Sequence, residues 1–235
     1  MKRIIIMAAV LILLTGCGSE KKFPEVSQDT PSEAIVNASQ TVDAGPEQEL
    51  AETAETQETF DAGQAVSIEE IEGGIQVTFQ QLPQTASDMQ AIVNLYSQAD
   101  ARNVCAFFHA ALVRYPESAE DCFAMMDVLR GPQPLSDTDK AFIKERLSDK
   151  LYLPRAYFEG AVPKNEYQPE DPWTIIIYDD PVEPPEGYAY TMVKTSGADS
   201  NRRIVMRVKD EQNYLWEYNA ALLSIRQPAS EDPWA

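Results

Sequence analysis

Ile75, Val77 and Phe79 are apolar while Gln76 and Thr78 between them are polar, a two-residue alternation that predicts a half-buried strand. Gly73-Gly74 just before it can reverse the chain, so a hairpin with residues 66–71 is expected. The period then lengthens. Met89, Ile92, Val93 and Tyr96 recur at helical spacing after Ser87, which can cap a helix with Gln90 three residues on. A second helix is expected from about Asn103 to Tyr115, on the stripe Val104, Phe107, Phe108, Ala111 and Leu112, closed by Pro116. Ser118 and Asp121 open a third, which carries Cys122, Met125, Met126 and Leu129 and stops at Gly131-Pro132. Ser136 and Asp139 open a fourth over Phe142, Ile143 and Leu147.

After Lys150 comes a connector rich in proline and aromatic residues, "YLPRAYFEGAVPKNEYQPEDPW", and then strand periodicity returns. Residues 174–178, 188–195, 202–209 and 214–218 are the expected strands. In the third of them Ile204, Met206 and Val208 face one way and Arg203, Arg207 and Lys209 the other. Helices followed by strands predict an α+β domain, about four helices and then an antiparallel sheet of about four or five strands. That element order resembles the cone-shaped fold of the nuclear transport factor 2 superfamily, a likeness that carries no function with it.

The first residues follow another pattern: basic Lys2 and Arg3, an unbroken apolar run from Ile4 to Leu14, small Thr15 and Gly16, then Cys17. This is the layout of an export signal. At about 1.5 Å per residue the run reaches about 16 Å, half of the ~30 Å hydrocarbon core that a spanning helix crosses. Leu14-Thr15-Gly16-Cys17 resembles the lipobox of bacterial lipoproteins, in which the cysteine is acylated and becomes the first residue of the mature chain. The resemblance implies lipidation at Cys17, residues 1–16 as signal peptide, and the bilayer as a partner through the acyl chains, with the protein on the extracytoplasmic face of the cell membrane. An ordinary secretory signal with a chance cysteine is the alternative.

Residues 17–65 are rich in Glu, Thr, Ser, Gln and Ala, with Phe23 and Phe60 the only aromatics, and cannot bury enough apolar surface to offset their ordering entropy. They are expected to form an acidic tether, and residues 66–235 a single globular domain. The formal net charge is −19, and loss of Lys2 and Arg3 with the leader takes it to −21. So negative a surface argues against nucleic acid as a partner.

Stretches of the second half, "RYPES", "LRGPQPLS", "YLPRAYFEGA", "GYAYTMVKTSGADS", "YLWEY" and the terminal "EDPWA", resemble an uncharacterised family of Firmicutes proteins. The resemblance implies a Gram-positive setting and marks no residue as catalytic.

Chemistry-bearing motifs are sparse. There is no GxSxG, P-loop, HExxH or CxxC, and no cofactor signature. His109 is the sole histidine, and Cys105 lies one helical turn before it, so the two could form a thiol–imidazole dyad or simply pack in the core. Cys105 and Cys122 form an even pair that could bridge, although a helical hairpin would hold them ~10 Å apart. The acidic loop "DDPVEPPEG" lacks the ligand spacing of a calcium loop and carries three prolines, so no metal is expected there. Leu153, Tyr157, Phe158, Tyr167 and Trp173 of the connector make a candidate binding surface, unless these side chains roof the core. Trp234, near the end of the chain in a repeat of Glu-Asp-Pro-Trp, is expected to fold back on the domain.

The function that fits this reading is a membrane-anchored lipoprotein whose α+β domain binds a protein or small ligand without catalysis. The alternative is an envelope enzyme, hydrolase-like, with a carboxylate-lined pocket. A large concave pocket would favour the enzyme, and a filled core with an open sheet face the binding domain.

Overall fold

The computed structural model describes residues 60–234. Cys17, the signal peptide and most of the expected tether lie outside them. The described chain opens with a single helical turn, α1 (Ala62–Ala65), whose N-terminus Asp61 caps by accepting the Gly63 N–H at 2.9 Å. Ala62 and Ala65 are buried, and the Ala65 carbonyl accepts from the Gln80 and Gln81 amides. The hairpin β1 (Val66–Ile71) and β2 (Gly74–Phe79) follows, as its alternation predicts. A side chain at Gly74 would stand 2.1 Å from the Ile177 carbonyl oxygen, so only glycine lets the neighbouring strand come this close.

Four helices come next. α2 (Ala86–Tyr96) begins two residues earlier than the Ser87/Gln90 reading: Thr85 is the N-cap and Asp88 completes a capping box, because Asp88 can return a carboxylate oxygen to the Thr85 N–H at 3.0 Å. α3 (Ala101–Val113) likewise starts ahead of Asn103, capped by Asp100. α4 (Ala119–Arg130) is capped by Ser118 and ends at Gly131, whose φ of +59° reverses the chain. α5 (Asp137–Leu147) has the Ser136/Asp139 capping box that the sequence shows.

The sheet then resumes with β3 (Trp173–Asp179), β4 (Tyr188–Val193), β5 (Arg202–Lys209) and β6 (Gln212–Glu217). All six strands form one antiparallel sheet in the order β1-β2-β3-β4-β5-β6, one strand more than the upper expectation. β2 pairs with β3 across the whole helical segment, with Ile75 opposite Ile177 and Val77 opposite Ile175.

The sheet has an apolar face and an open face. Ile75, Val77, Ile175, Ile177, Val193, Ile204, Met206 and Leu215 are buried on the first. The helices pack there, with α3 in the middle: every residue from Asn103 to Leu112 is buried between the sheet and the other helices. This core is α+β, and the helices leave the second face of the sheet uncovered among the described residues.

A candidate binding face on the open side of the sheet

The connector does not supply the expected surface. Leu153, Tyr157, Phe158 and Tyr167 are all buried, and only Trp173 is half-exposed. Two single 3-10 turns, Leu153–Tyr157 and Pro163–Asn165, fold these rings inward. The Tyr157 hydroxyl donates to the Ala221 carbonyl at 2.9 Å, and Tyr167 donates to the Arg226 carbonyl at 2.7 Å while its ring stacks on Tyr152. A hydroxyl that finds a backbone acceptor lets the ring be buried at little cost, so these side chains roof the core. Trp173 packs edge-on against Phe158 and keeps one side open to a groove.

The thiol–imidazole pair is sealed as well. Cys105 and His109 have no exposed surface, and Sγ lies 4.0 Å from Nδ1. The Cys105 carbonyl accepts from Nδ1 at 2.8 Å, which puts the hydrogen on Nδ1 and leaves Nε2 as a buried lone pair without a partner. Burial pushes the thiol up to about 12 and the imidazole down to about 4, the latter against the Cys105 hydrogen bond. A neutral thiol beside a neutral imidazole is not a nucleophile. Cys122 is also buried, and neither cysteine is in a disulfide.

In the acidic loop, burial alone would raise the Asp180 carboxyl, but the guanidinium of Arg203 at 2.6 and 3.0 Å and the Val182 N–H outweigh it and hold the group below the usual carboxylate range. Among the described residues no cluster of His, Cys, Asp and Glu could hold a metal ion. A hollow of about 310 Å³ does gather three carboxylates, Asp149, Glu166 and Glu231. Lys150 holds the Asp149 carboxyl low, and Glu166 is spent on the Ser230 amide and hydroxyl, so neither is set up as a general acid. Trp234 is 93% exposed and does not fold back. Burial of one indole does not outweigh the ordering of a polar tail, even though Ser230 is tied to Glu166.

What the fold does expose is the open sheet face. The strand registers put Tyr178, Tyr188, Tyr190, Arg203, Arg207 and Tyr214 on it, with Tyr188, Arg207 and Tyr214 in one row across β4, β5 and β6. Arg203 lies over the Tyr190 ring at 4.7 Å and Arg207 over Tyr188 at 4.4 Å. Arg203 is neutralised by Asp180, whereas Arg207 has no carboxylate at ion-pair distance among the described residues. At the β5–β6 end this face runs into a cleft of about 410 Å³, lined by Arg130, Arg207, Lys209, Tyr214 and Trp216 and by no carboxylate. Arg130 is held there from the last turn of α4, its Nε donating to the Gln133 carbonyl at 2.9 Å. Gly131 leaves room for the Tyr214 ring, since a methyl group in its place would sit 2.3 Å from it.

The face thus carries Tyr and Arg, with Trp216 in its cleft, residue types that supply much of the binding energy in protein interfaces, beside Ile176, Met192, Val205 and Glu217. Part of it was visible in the sequence: the alternation in 202–209 sends Arg203, Arg207 and Lys209 outward together. That the tyrosines of β4 and β6 stand beside them depends on register.

The family described as Domain of unknown function (DUF6935) matches residues 81–229, more than half of the chain, and the protein belongs to it. The match takes in α2–α5 and β3–β6 but neither α1 nor the hairpin β1–β2, which is nonetheless part of the same sheet. No curated protein and no solved structure matches the chain, and the likeness to the nuclear transport factor 2 superfamily rests on element order alone.

Proposed function

We infer that this family member is a membrane-anchored extracytoplasmic lipoprotein, held through acylated Cys17, whose domain docks a protein partner without catalysis on the open face of its sheet. The observation that carries the docking is the row Tyr188–Arg207–Tyr214 with its cationic cleft, left uncovered on a sheet whose other face holds the core against the helices. Rigid rings and a guanidinium without a carboxylate partner favour a partner that presents an acidic segment. The sealed Cys105–His109 pair supports the non-catalytic part of the reading. Anchoring rests on the sequence pattern before Cys17; among the described residues no helix is long and apolar enough to cross a membrane.

Photo-crosslinking tests the docking. With a photoreactive amino acid at Tyr190 of the full chain in its native membrane, one discrete cross-linked protein is expected. None should form from Glu145, an exposed residue of α5 outside the sheet. Arg207→Glu should abolish the product, by reversing the charge that an acidic segment meets. Equal cross-linking from both positions, or a product indifferent to Arg207→Glu, would overturn the reading. Cys17→Ser should release the protein from the membrane or leave it uncleaved, and retention after cleavage would remove the lipid anchor from it.

A further inference from the structure

A second hollow lies away from the open face, between α3, the start of the connector and β3. It encloses about 340 Å³, at the small end of the ~300–1,000 Å³ typical of ligand pockets. Trp173, Leu82, Val113 and Leu151 form apolar walls, and Arg114 and Arg155 reach into it. The two guanidiniums differ. Both terminal nitrogens of Arg114 are spent, on Glu117 and on Asp121. Arg155 makes no side-chain hydrogen bond and no ion pair with any described residue. In both, the Nε–H is sealed from solvent and has no acceptor. Those sealed atoms are out of reach of an incoming group, but the terminal nitrogens of Arg155 are not sealed and no described residue engages them, so they are the donors left for an acceptor that enters the groove.

We propose that this groove is a binding site for a small monoanion with a flat apolar body, an aryl carboxylate, whose carboxylate sits on Arg155 while its ring lies against Trp173. A carboxylate matches the planar fork of a guanidinium with two parallel hydrogen bonds, and the indole face suits a ring. The charge count sets the class. Arg114 already faces two carboxylates, Glu117 and Asp121, so Arg155 is the one guanidinium of the groove with no counter-charge at ion-pair distance among the described residues. On the other side of Arg155 the adjoining hollow carries Asp149, Glu166 and Glu231, none within ion-pair distance, and their field disfavours a dianion such as phosphate. The same chemistry is found in a free small molecule and at the C-terminus of a peptide ending in an aromatic residue. The site is separate from the sheet face and stands whether or not that face docks a partner.

Calorimetric titration of the full chain in detergent tests it, with N-acetyl-phenylalanine in one arm and a hexapeptide ending in a free phenylalanine carboxylate in the other. Each is paired with its C-terminal amide. Saturable binding of a carboxylate form, with the amide at least tenfold weaker, is expected. Binding in the first arm identifies a free metabolite as sufficient, and binding in the second arm alone identifies a polypeptide terminus. Arg155→Gln should weaken the carboxylate at least tenfold and Arg207→Gln should leave it unchanged, which separates this site from the sheet face. Should Arg155→Gln fail to fold, Leu151→Asp serves instead: Leu151 is 46% exposed at the mouth of the groove, and a carboxylate there repels the ligand. No saturable binding in either arm, equal binding of acid and amide, or full affinity in a folded Arg155 or Leu151 variant would overturn the proposal.

Discussion

Lowering the pH from about 7.5 to about 5 should destabilise this protein by about 2 kcal/mol through one residue. His109 is the only histidine in the chain, it is wholly buried, and burial lowers its imidazole to about 4. In the unfolded chain the ring titrates near 6.5, as an exposed histidine does. Between these values the unfolded state binds a proton that the folded state refuses, so stability rises with pH across the window and falls as the pH drops from about 6.5 towards 4. With about 1.36 kcal/mol per pH unit, most of the interval between about 6.5 and 5 is lost by pH 5, which gives roughly 2 kcal/mol. Exposed carboxylates are still mostly ionised there and contribute little. The assay is urea unfolding at several pH values, for the wild-type chain and for His109→Asn, whose amide can still donate to the Cys105 carbonyl but does not titrate. The wild type should lose about 2 kcal/mol more than the variant. Parallel curves would refute the reasoning, since they would mean that the imidazole reaches water or finds a partner for its protonated Nε2.

The amide of Asn213 donates to the Gln98 and Ala99 carbonyls at 3.0 and 2.9 Å and fastens β6 to the loop between α2 and α3, so Asn213→Ala should cost about 2–3 kcal/mol in urea unfolding; a loss below about 0.5 kcal/mol would count against that role. The two-residue turn between β5 and β6 places Asp210 and Glu211 at φ of 51° and 60°, where side chains are strained, and Glu211→Gly should raise stability by about 0.5–1 kcal/mol. Trp234→Ala should leave the melting temperature within about a degree, as expected of a side chain almost wholly in water, and a larger drop would show that the indole packs.

Local signals were legible in the sequence because their physics is local. A Ser or Thr oxygen caps the amide three residues on, so Ser118 and Ser136 marked the starts of α4 and α5 without reference to the rest of the chain. Gly131 marked the end of α4, and the alternation in 202–209 marked β5 and both of its faces. For α2 the sequence pattern pointed to Ser87, and the capping box between Thr85 and Asp88 starts the helix two residues earlier instead.

What the sequence by itself determined is therefore the class of elements, their order and the α+β fold. The tertiary structure decided the rest, because pairing between distant segments leaves no mark within either one. The hairpin at 66–79 reads the same whether it stands alone or joins a sheet; that β2 pairs with β3 follows only from matching Ile75 and Val77 to Ile177 and Ile175. The connector aromatics left both a surface and a roof open to the sequence. The backbone carbonyls of Ala221 and Arg226, more than fifty residues away, accept the Tyr157 and Tyr167 hydroxyls and so allow those rings to be buried. The registers of β4, β5 and β6 set Tyr188, Arg207 and Tyr214 side by side on the open face, and a row of side chains from three strands exists only once the strands are paired.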